Sequence, residues 1–105
     1  MTRVESDTEL LSTLVAVFKA DRPAMMAEIE EALLAGDAVA LADTAHTMKG
    51  ALSVFGVEPA RSIAEHLEAA GRQKQLESAR DHYEELGPAI NLAEDGLEAL
   101  LAELV

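Results

Sequence analysis

Cysteine is absent from the 105 residues, so neither disulfides nor thiolate metal sites are available. Tryptophan is absent too, and the aromatic side chains reduce to Phe18, Phe55 and Tyr83. The apolar half of the chain is Ala, Leu, Val, Ile and Met, which favours packed helices over a β-sandwich. Basic residues are scarce: 8 Lys and Arg stand against 20 Asp and Glu, for a net charge of −12. That balance argues against nucleic acid, whose binding rests on cationic neutralisation of phosphates. It argues equally against an anionic membrane surface. No apolar run approaches the roughly 20 residues of a membrane span, and Met1–Asp7 lack the apolar core of a signal peptide. A cytoplasmic domain is therefore expected. Neither Gly-x-x-x-x-Gly-Lys nor Gly-x-Gly-x-x-Gly occurs, so no nucleotide site is expected. Strand-period segments, internal repeats and low-complexity stretches are also missing.

What is present is helical periodicity, in a length that suits one domain spanning 1–105 and one modest core. Ser6-Asp7-Thr8-Glu9 reads as a capping box, followed by an apolar face of Leu11, Leu14 and Phe18. Pro23 predicts a break or kink near Asp21 and the start of a second helix, whose core face is Met26, Ile29 and Leu33. Gly36 closes that helix and Asp37 caps the next, which runs from about Ala38 to Phe55. Glu58-Pro59 opens another, with Pro59 at its first position. Its inward face is Ala60, Ile63, Ala64, Leu67 and Gly71, and Arg61–Glu65 and Glu68–Arg72 are expected as surface pairs. From Leu76 to Leu104 a 3,4 spacing continues through Gly87-Pro88, where a kink or brief break is expected. The expectation is an all-α, antiparallel up-down bundle with shorter N-terminal helices packed on it.

The stretch Ala45-His46-Thr47-Met48-Lys49-Gly50 stands out within this pattern. Leu41, Ala45, Met48, Leu52 and Phe55 form one apolar stripe, and His46 lies about 140° from its centre, pointing to solvent. Ala42, Gly50 and Ser53, one turn away, are small, and Asp43 and Lys49 flank the ring. A mid-helix glycine costs about 1 kcal/mol relative to alanine, and Gly50 lies opposite the stripe, so approach by an external partner accounts for it better than core packing. Gly56, which follows Phe55 and precedes Pro59, is expected to cap the helix. The surroundings describe a docking surface with a nucleophile at its centre: an exposed neutral imidazole, with a lysine one turn along to offset the charge of a phosphoryl group.

The other candidates take ordinary explanations. His66 and His82 each sit beside an acid (Glu65, Asp81), and adjacent residues diverge on a helix. They read as flank or surface histidines, and the chain shows no metal-ligand spacing. Glu28, Glu30, Glu31, Glu84, Glu85, Asp95 and Glu98 read as a solvated face. Met25-Met26 is core filler.

The motif from His46 to Gly50, followed by Gly56 and by an apolar stretch ending Leu67-Glu68, resembles the histidine-containing phosphotransfer (HPt) domain of bacterial two-component phosphorelays. Ala35-Gly36-Asp37 and Leu41 fit the lead into its phosphorylated helix. The resemblance covers the chain in helix order and is most specific from Asp37 to Glu68. It implies an antiparallel four-helix bundle with an additional short N-terminal helix. It also implies a phosphoryl carrier without catalysis of its own. His46 would accept the group from a receiver-domain aspartyl phosphate and pass it to another receiver's aspartate. Lys49 would orient or stabilise the phosphoryl group, and Gly50 would leave room for the receiver. The implied partners are response-regulator receiver domains, with a hybrid sensor histidine kinase in cis or trans. Mg²⁺ would sit on the receiver and no cofactor on this chain. Met48 stands where the family often has Leu, a volume-conserving change.

Three alternatives stand beside this reading. Phe55-Gly56 is similar to the phosphotransfer domain of chemotaxis-type kinases, in which an ATP-binding domain would phosphorylate His46. A dimerisation and phosphoacceptor domain of a histidine kinase usually has an acid and then Arg-Thr-Pro after its histidine, whereas Thr47-Met48-Lys49 follows here. A helical adaptor would leave Gly50 and the cleared ring around His46 unexplained.

Overall fold

The computed structural model describes residues 3–104, with side chains from Thr8 onward. It contains four helices and, among the described residues, no strand: α1 (Arg3–Ala35), α2 (Ala38–Phe55), α3 (Ala60–Arg72) and α4 (Leu76–Leu104). Each helix packs on its neighbours in the chain, and α1 also packs on α4, so the contacts close into a ring. Ile29, Leu41, Met48, Leu52, Leu67, Leu86 and Ile90 fill the centre of that ring and are fully buried.

The N-terminal region differs from the expectation. Pro23 lies inside α1, which runs unbroken from Arg3 to Ala35, so there is no separate N-terminal helix. The apolar stripe explains this. Val15 and Phe18 before the proline and Ile29, Ala32 and Leu33 after it stay in phase and are all buried. A proline inside a helix costs about 3 kcal/mol, while burying each large apolar side chain contributes about 1.5–3 kcal/mol, so continuing the helix wins. Arg22 fastens the same point to α4, donating to Glu94 Oε1 at 2.8 Å and to the Gly87 carbonyl at 3.3 Å. The expected capping box is displaced as well: the helix has already begun at Arg3, so Ser6 lies within it. The side chains of Ser6 and Asp7 are outside the described residues. Gly87-Pro88 likewise leaves α4 continuous, with Leu86 and Ile90 on the two sides both fully buried.

The ends of α2 fall where local chemistry puts them. At the close of α1, Gly36 takes a positive φ of 69°, its N–H reaches the Leu33 carbonyl, and the Asp37 N–H reaches that of Ala32. This pairing satisfies carbonyls the helix end would otherwise leave open. The Asp37 carboxylate then accepts from the Ala40 N–H at 3.0 Å and starts α2. Gly56, at φ 63°, ends it. Pro59 sits one residue earlier than expected, at the cap position of α3, and supplies no side-chain bond. Glu58 does so instead, accepting from the Ser62 N–H at 3.1 Å and the Ser62 hydroxyl at 2.8 Å.

Phe18 packs edge-on against Phe55, the last residue of α2, with ring centres 5.8 Å apart. The first turns of α1 therefore run past the end of α2, and the Lys19–Glu98 ion pair places the end of α4 beside them. With few neighbours there, Leu10, Leu14, Leu100 and Leu104 keep much of their exposure, although Leu14, Leu100 and Leu104 continue the apolar pattern of the sequence.

Candidate functional site

Helices α2 and α3 approach closely because Gly71 faces Ala42. A Cβ on Gly71 would lie 2.9 Å from the Ala42 backbone nitrogen and 3.1 Å from its Cα. Ala42 is therefore buried in this crossing, and its small size serves helix packing rather than the exposed docking surface expected of it. The crossing also brings Glu68, one turn before Gly71, against the face of α2 that carries His46 and Lys49.

The result is a network centred on a buried carboxylate. The His46 side chain is 62% exposed and that of Glu68 only 9%, with His46 Nδ1 3.0 Å from Glu68 Oε2. Lys49 Nζ lies 2.8 Å from Glu68 Oε1. Arg72 places Nη2 at 2.6 Å and Nε at 3.1 Å from Oε2. The Lys49 hydrogen bond leads the influences on Glu68, followed among the favourable ones by that from Arg72. Together they outweigh desolvation and hold its pKa down from 4.5 to about 2. At neutral pH Glu68 is thus ionised and can only accept, so the His46 Nδ1–H is the donor of the shared bond. The lone pair of the neutral ring is then on Nε2, on the exposed side.

The remaining expected site residues lie around this centre. Gly50 is exposed, and nothing lies within 4 Å of a Cβ placed there, so no neighbouring helix requires a glycine. Asp43 and Ser53 are exposed on the same helix. The Asp43 carbonyl accepts from the Thr47 hydroxyl, and the Ser53 hydroxyl donates to the Lys49 carbonyl. Gly56 has the capping role expected of it.

Two features were not foreseen. The sequence pattern puts Glu68 in a surface pair with Arg72; that pair forms, but around a buried carboxylate that also holds His46 and Lys49. The burial of Ala64, Leu67 and Gly71 on the same side of α3 was the available signal. The second is an apolar groove of about 150 Å³ between α1 and the end of α2, lined by Leu14, Val17, Phe18, Asp21, Met25, Ala51, Val54 and Phe55. Val17 and Val54, exposed apolar residues off the core stripes, were its signal in the sequence.

His66 and His82 face each other across α3 and α4 with ring centres 5.5 Å apart. No group of three or more potential metal ligands occurs among the described residues.

The family model for the Hpt domain matches residues 13–104. The chain belongs to the Hpt family. Searches of curated proteins and of solved structures gave no match. Hpt domains carry phosphoryl groups on histidine in two-component signalling, and they are carrier modules rather than enzymes in themselves. Their partners are receiver domains and histidine kinases. No helix of this Hpt domain, among the described residues, is long and apolar enough to cross a membrane.

Proposed function

We propose that this Hpt domain is a phosphorelay intermediate: His46 Nε2 accepts a phosphoryl group from a receiver aspartyl phosphate and delivers it to the aspartate of another receiver. The observation that carries the reading is the bond from His46 Nδ1 to the buried Glu68 carboxylate, because it leaves Nε2 as the exposed nucleophile. In the transfer Nε2 attacks phosphorus in line, and the leaving carboxylate stays on the receiver. Catalysis is then positioning plus charge stabilisation. Glu68 fixes the ring, and Lys49, anchored by Glu68 one turn from His46, supplies positive charge beside the incoming group.

Gly50, Asp43 and Ser53 form the open surface on which the receiver sits, and the groove around Val17 and Val54 gives it an apolar foothold. Mg²⁺ and the acidic pocket belong to the receiver. The chain has no nucleotide site of its own, works in the bacterial cytoplasm and draws its phosphoryl group from a hybrid sensor kinase by way of a receiver. The short connections at Gly36-Asp37 and at Gln73–Gln75, with the closed ring of helix contacts, support an antiparallel up-down bundle.

The test is transfer from a panel of phosphorylated receiver domains to the wild type and to His46→Gln. Acid-labile, base-stable label on the wild type alone is expected. Label retained by the variant would move the acceptor to another residue. No label from any receiver, but label from a chemotaxis-type kinase domain with ATP, would replace the relay by a kinase-fed acceptor. No label from either would leave a helical adaptor.

A further inference from the structure

Glu68 Oε2 carries more donors than it can serve equally. His46 Nδ1 lies at 3.0 Å, Arg72 Nε at 3.1 Å and Arg72 Nη2 at 2.6 Å from this one oxygen. Each carboxylate oxygen has about two lone-pair sites. Oε1, by contrast, takes only Lys49, at 2.8 Å. Arg72 sets both its contacts on the oxygen that orients His46, instead of spreading its fork over both oxygens as strong arginine–carboxylate pairs do. Its side chain is 57% exposed, so it is not a core element of α3.

Resting on the carrier function proposed above, we infer that Arg72 is a positioning residue: by competing for Glu68 Oε2 it loosens the hold of Glu68 on the His46 Nδ1–H, and so sets how fast the phosphoryl group enters and leaves Nε2. During uptake the Nε2 lone pair forms the N–P bond. The P–O bond of the receiver breaks and its electron pair returns to the aspartate carboxylate. The Nδ1 proton stays between the ring and Glu68. During delivery a receiver carboxylate oxygen attacks phosphorus, the N–P bond breaks, and its pair returns to Nε2. That departure is easiest while Nδ1 keeps its proton, because the ring then leaves as neutral imidazole. An undivided Oε2 holds the proton on Nδ1 more firmly in both directions. Arg72 is then a brake on exchange, favouring retention of the phosphoryl group over rapid turnover.

The experiment uses the full chain as wild type, Arg72→Lys and Arg72→Ala, with circular dichroism to confirm the helical fold. Transfer rates are measured from a phosphorylated receiver and onward to an unphosphorylated one, and imidazole ¹⁵N shifts report the tautomer of His46. Arg72→Ala is expected to speed both transfers severalfold and to raise the Nδ1-protonated share of neutral His46. Arg72→Lys, with a single point charge in place of the fork, is expected to fall between it and the wild type. Unchanged or slower transfer in Arg72→Ala, or an unchanged tautomer, would overturn the inference. A wild type that takes no label from any receiver would instead defeat the carrier function itself. The tautomer measurement, which needs no receiver, then still decides whether Arg72 competes for Glu68.

Discussion

The domain holds two histidines beside carboxylates, and the two places are built in opposite ways. At His46 the ring is exposed and the carboxylate buried: the side-chain exposures are 62% for His46 and 9% for Glu68. At His82 the ring is mostly enclosed and the carboxylate open, at 29% for His82 and 62% for Glu85. Glu68 is anchored across the helix crossing by Lys49, which holds Oε1, while Arg72 shares Oε2 with His46. Glu85 is one turn along the same helix from His82, at 3.5 Å, and His82 Nδ1 is sealed from solvent without a hydrogen bond. An anchored, buried carboxylate can orient an exposed ring at little cost in order, because it is already fixed. An exposed carboxylate must give up its own side-chain freedom to do so, and such surface pairs contribute only about 0–1 kcal/mol. The first arrangement leaves an oriented ring open to solvent, and the second leaves an enclosed ring without a hydrogen bond on Nδ1.

The largest effect should come from closing the open side of the first place. Gly50→Glu is expected to abolish receiver transfer while leaving the helical content and thermal midpoint close to wild type, since a side chain at this position meets open space. Normal transfer in that variant would show that the receiver docks elsewhere. Next, Glu68→Gln keeps the shape but loses the charge. With His46 no longer held in one tautomer, transfer should fall by about a hundredfold, the scale of a misplaced reacting group. Stability should change with it, in a defined pH window. The Glu68 pKa is lowered in the folded state, so its contribution is fully present above 4.5 and is lost as pH falls towards about 2. Denaturant titrations at descending pH should show that loss in the wild type and lack its Glu68 part in Glu68→Gln.

Gly71→Ala sharpens the comparison from the packing side. The added methyl would press on the Ala42 backbone, so α3 must shift away from α2, at a cost of about 1–3 kcal/mol. Denaturation should report that loss, and transfer should slow because Glu68 moves with α3. The smallest effect belongs to the second place. Glu85→Ala is expected to alter stability by no more than about 0.5 kcal/mol and to leave transfer unchanged. A clear loss of transfer there would erase the distinction between the two regions.

The same contrast explains what the sequence could reveal. The ends of α2 were legible because their signals are local: Asp37 bonds its own helix, and Gly36 and Gly56 adopt a backbone conformation that glycine favours. The exposure of His46 followed from helical periodicity alone. Glu68 was hidden because its burial depends on how closely α3 approaches α2, and that depends on Gly71 meeting Ala42 across the crossing. The same contact removed Ala42 from the docking surface. Pro23 misled for a related reason: the local rule predicts a break, but an apolar stripe in phase on both sides keeps α1 whole.

The most direct test of the central claim is to identify the phosphorylated atom, by ³¹P and ¹⁵N NMR of the chain after transfer from a receiver. Phosphorus on Nε2 of His46, with Nδ1 still coupled to Glu68, is the predicted result. Phosphorus on Nδ1 of His46, or on His66 or His82, would contradict it.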